Sequence, residues 1–153
     1  MYNAVGIDVS KGKSTIAVLQ PGGTVIRKPF DVSHTSQSLI ELARYLGSLE
    51  GSTKIVMECT GRYYEPVARQ LSQAGFFVCA VNPQIIHGFQ GQDNPLRRVK
   101  TDKADSIKIA RYTLDNWANL KQYTLMDELR TQLKTMNRQF DFYMKHKTAM
   151  KNN

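Results

Sequence analysis

Residues 4–30, AVGIDVSKGKSTIAVLQPGGTVIRKPF, decide the fold class. Residues 4–9 form a short apolar run, residues 15–19 are rich in β-branched and apolar side chains, and residues 24–30 alternate loosely. Gln20-Pro21-Gly22-Gly23 separates the last two runs. The pattern predicts three strands joined by tight turns.

Beyond this hairpin pair the apolar period changes. Residues 36–49 set Leu39, Ile40, Leu42, Ala43 and Leu46 at helical spacing, with Ser33, Thr35 and Ser36 as candidate N-caps. Residues 54–58 read as a strand, residues 65–74 as a helix with Pro66 in its first turn and Gly75 as its stop, and residues 76–81 as another strand. Such a βαβ unit requires parallel strands. The expected class is therefore α/β, a mixed sheet flanked by helices. From residue 82 to residue 100 the texture turns to Gly, Gln, Asn and Pro and ends in Arg97-Arg98-Val99-Lys100, which predicts a mobile loop. Residues 102–114 resume helical spacing. Met126, Leu129, Leu133, Met136, Phe140 and Tyr143 then recur at steps of three and four, the seam of a coiled coil on a long helix. An ordinary helix packed on the domain is the competing account of that stripe. The division expected is a domain over residues 1–115 and a linker with the start of a coiled-coil helix over residues 116–153. The ending Lys151-Asn152-Asn153 carries no Gly or Pro stop, as expected of an interrupted helix.

A chain of 153 residues suits one domain with an appendage. A content of 41% hydrophobic and 22% charged residues is that of a globular protein. No run approaches the roughly 18 apolar residues of a membrane span, and the N-terminus lacks a signal-peptide layout, so no membrane partner and a cytoplasmic location are expected. Cys59 and Cys79 form no CxxC pair and have no neighbouring His, which argues against a disulfide framework or a zinc site and predicts two buried thiols. The net charge of +8 is unevenly spread: residues 1–96 carry +1 and residues 97–153 carry +7. The basic excess suits a polyanion such as nucleic acid, or a solvated helical surface.

Four acids stand out. Asp8 lies near the end of the first strand and Glu58 closes the later one, where open α/β sheets place their ligand sites. If those strands are neighbours, the carboxylates converge. Asp102 and Asp105 are spaced i, i+3 and share one helix face, although Thr101 or Asp102 is also a natural N-cap and first-turn acids complement the helix dipole. Together the four suit a two-metal site for phosphoryl transfer, because Mg2+ is hard and prefers charged oxygen ligands. Arg97, Arg98, Lys100, Lys103, Lys108 and Arg111 surround the later pair, and Lys11 follows Asp8; they are candidate contacts to phosphates. Tyr63 and Tyr64 are candidates for base stacking or for burial, and of the three histidines only His87 invites a test.

Gly6-Ile7-Asp8-Val9-Ser10-Lys11, Met57-Glu58-Cys59-Thr60-Gly61, Val81-Asn82-Pro83 and Lys100-Thr101-Asp102-Lys103-Ala104-Asp105 resemble the successive motifs of the DEDD transposases, over residues 4–112 in order. That family comprises insertion-sequence recombinases guided by a bridge RNA and includes the Piv-type DNA invertases. The resemblance implies an RNase H-like, RuvC-type fold, with Asp8, Glu58, Asp102 and Asp105 as Mg2+ ligands and Mn2+ as a substitute. It implies a following coiled coil and homo-oligomer, DNA partners in the form of transposon ends and target, a guide RNA, and a bacterial or archaeal cytoplasm. It also implies a second domain carrying a nucleophilic serine, so the chain is expected to be an N-terminal part that does not complete recombination alone. Three other readings compete: a non-enzymatic basic coiled-coil binder of nucleic acid, a stand-alone Holliday-junction-resolvase-like nuclease, and a sugar-kinase or actin-like ATPase lobe. The last lacks a second lobe and an adenosine motif.

Overall fold

The computed structural model describes residues 1–89 and 101–152, and for residues 125–128 the backbone alone. The described residues form five strands and five α-helices: β1 (Tyr2–Ser10), β2 (Lys13–Gln20), β3 (Thr24–Ser33), α1 (Ser36–Gly47), β4 (Ser52–Glu58), α2 (Glu65–Gln73), β5 (Phe77–Val81), α3 (Pro83–Gly88), α4 (Asp102–Asp115) and α5 (Leu125–Lys151). Residues 1–123 form one compact unit and residues 124–153 a second.

The hairpins come first, as their turn chemistry requires. β1 and β2 pair antiparallel, and a single 3-10 turn at Pro21–Gly23 returns the chain into β3. Gly22 and Gly23 hold φ of +84° and +80° there, a region that side chains with a Cβ avoid. β4 then crosses over to pair parallel with β1, and β5 parallel with β4, giving the order β3-β2-β1-β4-β5. The predicted mixed sheet flanked by helices is the fold observed.

Period-two alternation sends the two halves of each strand to different helices. On one face Val5, Ile7, Ile16, Val18, Ile55, Met57 and Val78 pack against Leu39, Leu42, Leu46, Val67 and Leu71 of α1 and α2. Each such fully buried aliphatic side chain contributes about 1.5–3 kcal/mol. The other face receives α4: Val56, Cys79 and Val81 meet Ile109, while Ala17 and Leu19 meet Ala110. After α4 the chain returns along the sheet, where the Lys54 ammonium donates to the Trp117 carbonyl at 2.7 Å and lies 4.6 Å from the Phe77 ring centre.

One expectation needs correction. Residues 83–88, predicted as part of a loop, form α3, because Pro83 starts the helix and the Asn82 side chain accepts from the Gln84 amide at 2.9 Å. The rest of that segment, residues 90–100, lies outside the described residues, and Arg97, Arg98 and Lys100 with it. α5 carries the apolar stripe read from the sequence, with Leu129, Leu133, Met136, Phe140 and Tyr143 all exposed on the unit that contains them. Among the described residues no helix is long and apolar enough to cross a membrane.

Candidate active site: an acid row beneath the first turn of a helix

The site begins with the pairing of β1 and β4. Their parallel register matches Gly6 with Val56 and Ile7 with Met57, and Asp8 and Glu58 are the next residues of their strands beyond that last pair. Both are half-buried. Val56 packs on Ile109 of α4, and a Cβ on Gly6 would point into Ser106 and Ala110, so the residues two further along each strand lie on the face that α4 covers. Antiparallel pairing carries the same row outward, from Asp8 to Thr15 on β2 and from Thr15 to Asp31 on β3. Asp31, Thr15 and Asp8 therefore form a lateral row on one face of three adjacent strands, and Glu58 follows the last matched pair of β1 and β4 on the same face.

α4 brings the other two acids to this row. Ser106 and Ala110 sit over Gly6, and one helical turn, about 5.4 Å, matches the rise of roughly two strand residues from Gly6 to Asp8. Asp102 and Asp105 thus occupy the turn nearest the row. Thr101 is the N-cap, its hydroxyl accepting from the Ala104 amide at 3.1 Å, so neither acid is needed for that role. Asp105 is half-buried and Asp102 exposed. The Lys13 ammonium spans from Asp31 (3.5 Å) to Asp102 (3.9 Å), linking helix to sheet. With all three groups about half exposed, that bridge orients more than it stabilises.

Asp31 was not among the acids singled out from the sequence. The Thr15 hydroxyl donates to it at 2.8 Å, and this bond, with the ammonium groups of Lys13 and Lys103, holds its carboxyl below the ordinary value despite some burial. Of the candidate phosphate contacts, Lys11 is exposed at the β1–β2 turn, Lys103 is exposed in the first turn of α4, and Lys108 and Arg111 are half-buried further along it. Tyr64 belongs to the core, edge-on to Tyr123, whereas Tyr63 is exposed. Cys79 is buried and Cys59 half-buried, and burial pushes both thiols up.

His87, exposed in the last turn of α3, joins none of this, while His34 does more than its scattered position suggested. Its Nε2 lies 2.8 Å from the hydroxyl of the buried Ser14. Burial holds the imidazole below its ordinary value of 6.5. The unfolded chain then binds the proton more readily, so stability falls as pH drops below about 6.5. Thermal melts at pH 7.5 and pH 5 should show this fall, and His34→Gln should flatten it; an unchanged fall in the variant would assign it elsewhere.

The donor set is uniformly carboxylate, the chemistry of a site for a hard divalent cation. Among the described residues, however, no three His, Cys, Asp or Glu side chains stand close enough together to hold one ion. The acids share one end of one face, with Asp102 engaged by Lys13.

A family model for transposases of the DEDD, IS110 type matches residues 5–153. Among solved structures the chain is similar to RuvC of T. thermophilus in complex with a Holliday junction substrate, with a TM-score of 0.54, 12% identity, and coverage of 80% of this chain and 100% of that one. It is likewise similar to a further Thermus thermophilus RuvC structure, with a TM-score of 0.52, 14% identity, and coverage of 79% and 99%. No curated protein matches the chain. At such identities the RuvC likeness describes the fold.

Proposed function

Because the chain belongs to the DEDD transposase family, we propose that residues 1–123 are the cutting domain of such an enzyme, cleaving a DNA phosphodiester at the acid row with Mg2+ as cofactor. What supports this reading is that Asp8 and Glu58 directly follow the last matched pair of β1 and β4, on the face covered by α4, whose first turn bears Asp102 and Asp105.

The residues fit a divalent ion by donor chemistry and share one end of one face, and holding it would require the described carboxylates to draw closer together. Asp8 and Glu58 would hold it against the sheet, and Asp105 and Asp102 would close over it from α4. When bound, such an ion supplies charge neutralisation and polarisation at the scissile phosphate. The chain's own part is to aim the carboxylates. Thr15 and Asp31 keep Lys13 at the row, where it compensates Asp102. Lys11 and Lys103 lie at the same end to receive flanking phosphates, Lys108 and Arg111 follow along α4, and Arg97, Arg98 and Lys100, outside the described residues, precede it in the sequence as further candidates.

Strand transfer during insertion-sequence transposition, guidance by an RNA, and assembly of copies through the apolar stripe of α5 belong to the same proposal. The basic C-terminal third supports a nucleic-acid partner, and five exposed apolar side chains at heptad-like spacing support a second copy. A cytoplasmic site of action in a bacterium or archaeon goes with it.

The direct test is a crystal soaked in Mn2+, which takes the same oxygen ligands. Anomalous peaks touching Asp8, Glu58 and at least one of Asp102 and Asp105 are expected. With these carboxylates ordered and no peak between them, the metal assignment fails and the protein becomes a basic module that binds nucleic acid without cutting it.

A further inference from the structure

The acid row has a counterpart on the opposite face of the sheet. A cleft of about 310 Å3 opens there between the end of β3 and the first turns of α1 and α2, lined by His34, Ser36, Arg62, Glu65, Arg69 and Gln70. Its size is at the lower limit of small-ligand pockets, about 300 Å3. Two guanidinium groups, an imidazole, a hydroxyl and a carboxamide give it a surplus of donors, against the single carboxylate of Glu65. A guanidinium carries five N–H donors, so Arg69 can keep its partners within the protein and still present a fork to an anion.

Its position matters as much as its polarity. Ser14, which holds His34, is the strand neighbour of Thr15, which holds Asp31; alternation puts the first pair on the α1–α2 face and the second on the α4 face. Arg62 follows Glu58 by four residues, so the loop leaving the acid row enters the cleft. Acid row and basic cleft are thus two sides of one sheet end.

We propose that this cleft is a second phosphate site, taking the phosphodiester backbone of the nucleic-acid strand beside the position that is cut. Arg62 and Arg69 carry the charge, and His34 and Ser36 add donors. The placement relative to the cut rests on the function proposed above; the binding itself does not, because it needs no metal.

The test measures fluorescence anisotropy of labelled single-stranded DNA and RNA oligonucleotides with the full chain in EDTA, across 50 to 200 mM salt. Losing two phosphate contacts lowers the slope of log K against log salt by about 1.4, so wild type should shed roughly sevenfold more affinity than Arg62→Gln/Arg69→Gln over that range. A loss with DNA alone names the DNA strand as occupant, a loss with RNA alone names an RNA, and a loss with both names the shared backbone. Equal slopes for variant and wild type with both oligonucleotides overturn the proposal. Should the double variant melt early, the exposed Arg62→Gln alone decides, with about half the change in slope. Since EDTA removes every divalent ion, a negative result here and a negative Mn2+ soak are separate failures.

Discussion

Gly6→Ala is expected to dislodge α4 and with it half of the acid site. A Cβ at this position would lie 2.9 Å from the Ala110 Cα and closer still to the Ser106 carbonyl oxygen and the Ala110 nitrogen. These are backbone atoms, so no rotamer change relieves the overlap and the whole helix must lift from β1. Overpacking of this kind costs about 1–3 kcal/mol, and with a rigid helix as the obstacle the upper end applies, lowering the melting temperature by about 5 °C or more. The effect on cutting should be larger than the effect on stability. Asp102 and Asp105 ride on that helix, and a displacement of about 1 Å at a reacting centre costs about 100-fold. Gly47→Ala is the matched control: it ends α1, its added Cβ meets nothing nearer than the Phe76 ring at 3.9 Å, and alanine favours the helix. Gly6→Ala with the melting temperature and metal response of wild type would show that α4 is not seated through this contact.

That contact also marks where sequence reading stops. The strands and helices of the first unit follow from local chemistry: β-branched runs, the Gln20-Pro21-Gly22-Gly23 turn, Pro66 and Gly75 around α2, and a Thr101 cap. The packing role of Gly6 is not legible in its own motif, because the helix it accommodates is a hundred residues away in the chain. Asp8 and Glu58 were both legible as acids at strand ends, yet their adjacency was conditional on β1 pairing with β4, which only the sheet order supplies. Asp31 was hidden for a different reason. Its value comes from lying opposite Thr15, and the β2–β3 register shifts twice, between Ile16 and Val18 and again between Val18 and Leu19, so counting along the hairpin does not find it. Arg62, Arg69 and His34 come from separate segments of a nearly neutral stretch, where summing charge along the sequence conceals a local cluster. α3 was missed because its Asn82-Pro83 start is equally a turn signal and its six residues are too few to show a period.

Asp8→Asn should separate folding from chemistry. The amide has nearly the shape of the carboxylate and still accepts hydrogen bonds, and it removes one of two like charges, Asp8 and Glu58, that follow the last matched pair of β1 and β4. Such neighbouring like charges are unfavourable by about 0.2–1 kcal/mol, so the metal-free variant should melt within about 1 kcal/mol of wild type. The response to Mg2+ is where the two part. For a site with a dissociation constant of about 1 mM, 10 mM Mg2+ stabilises the folded protein by about 1.4 kcal/mol, and a variant that has lost a charged ligand should forfeit most of that gain. Even residues one shell out from a metal cost about 10–100-fold in affinity or activity, so cutting by the complete enzyme should fall by more than about 100-fold. Asp102→Asn should lose cutting as well, although this exposed side chain gives up a 3.9 Å contact with Lys13 and a favourable charge at the helix N-terminus. A purely structural role for the acids predicts the reverse in both assays: lower melting temperatures without metal, and an undiminished Mg2+ response. If Asp8→Asn kept both the Mg2+-induced rise in melting temperature and wild-type cutting, Asp8 would leave the site, and Glu58 would have to be explained by packing alone.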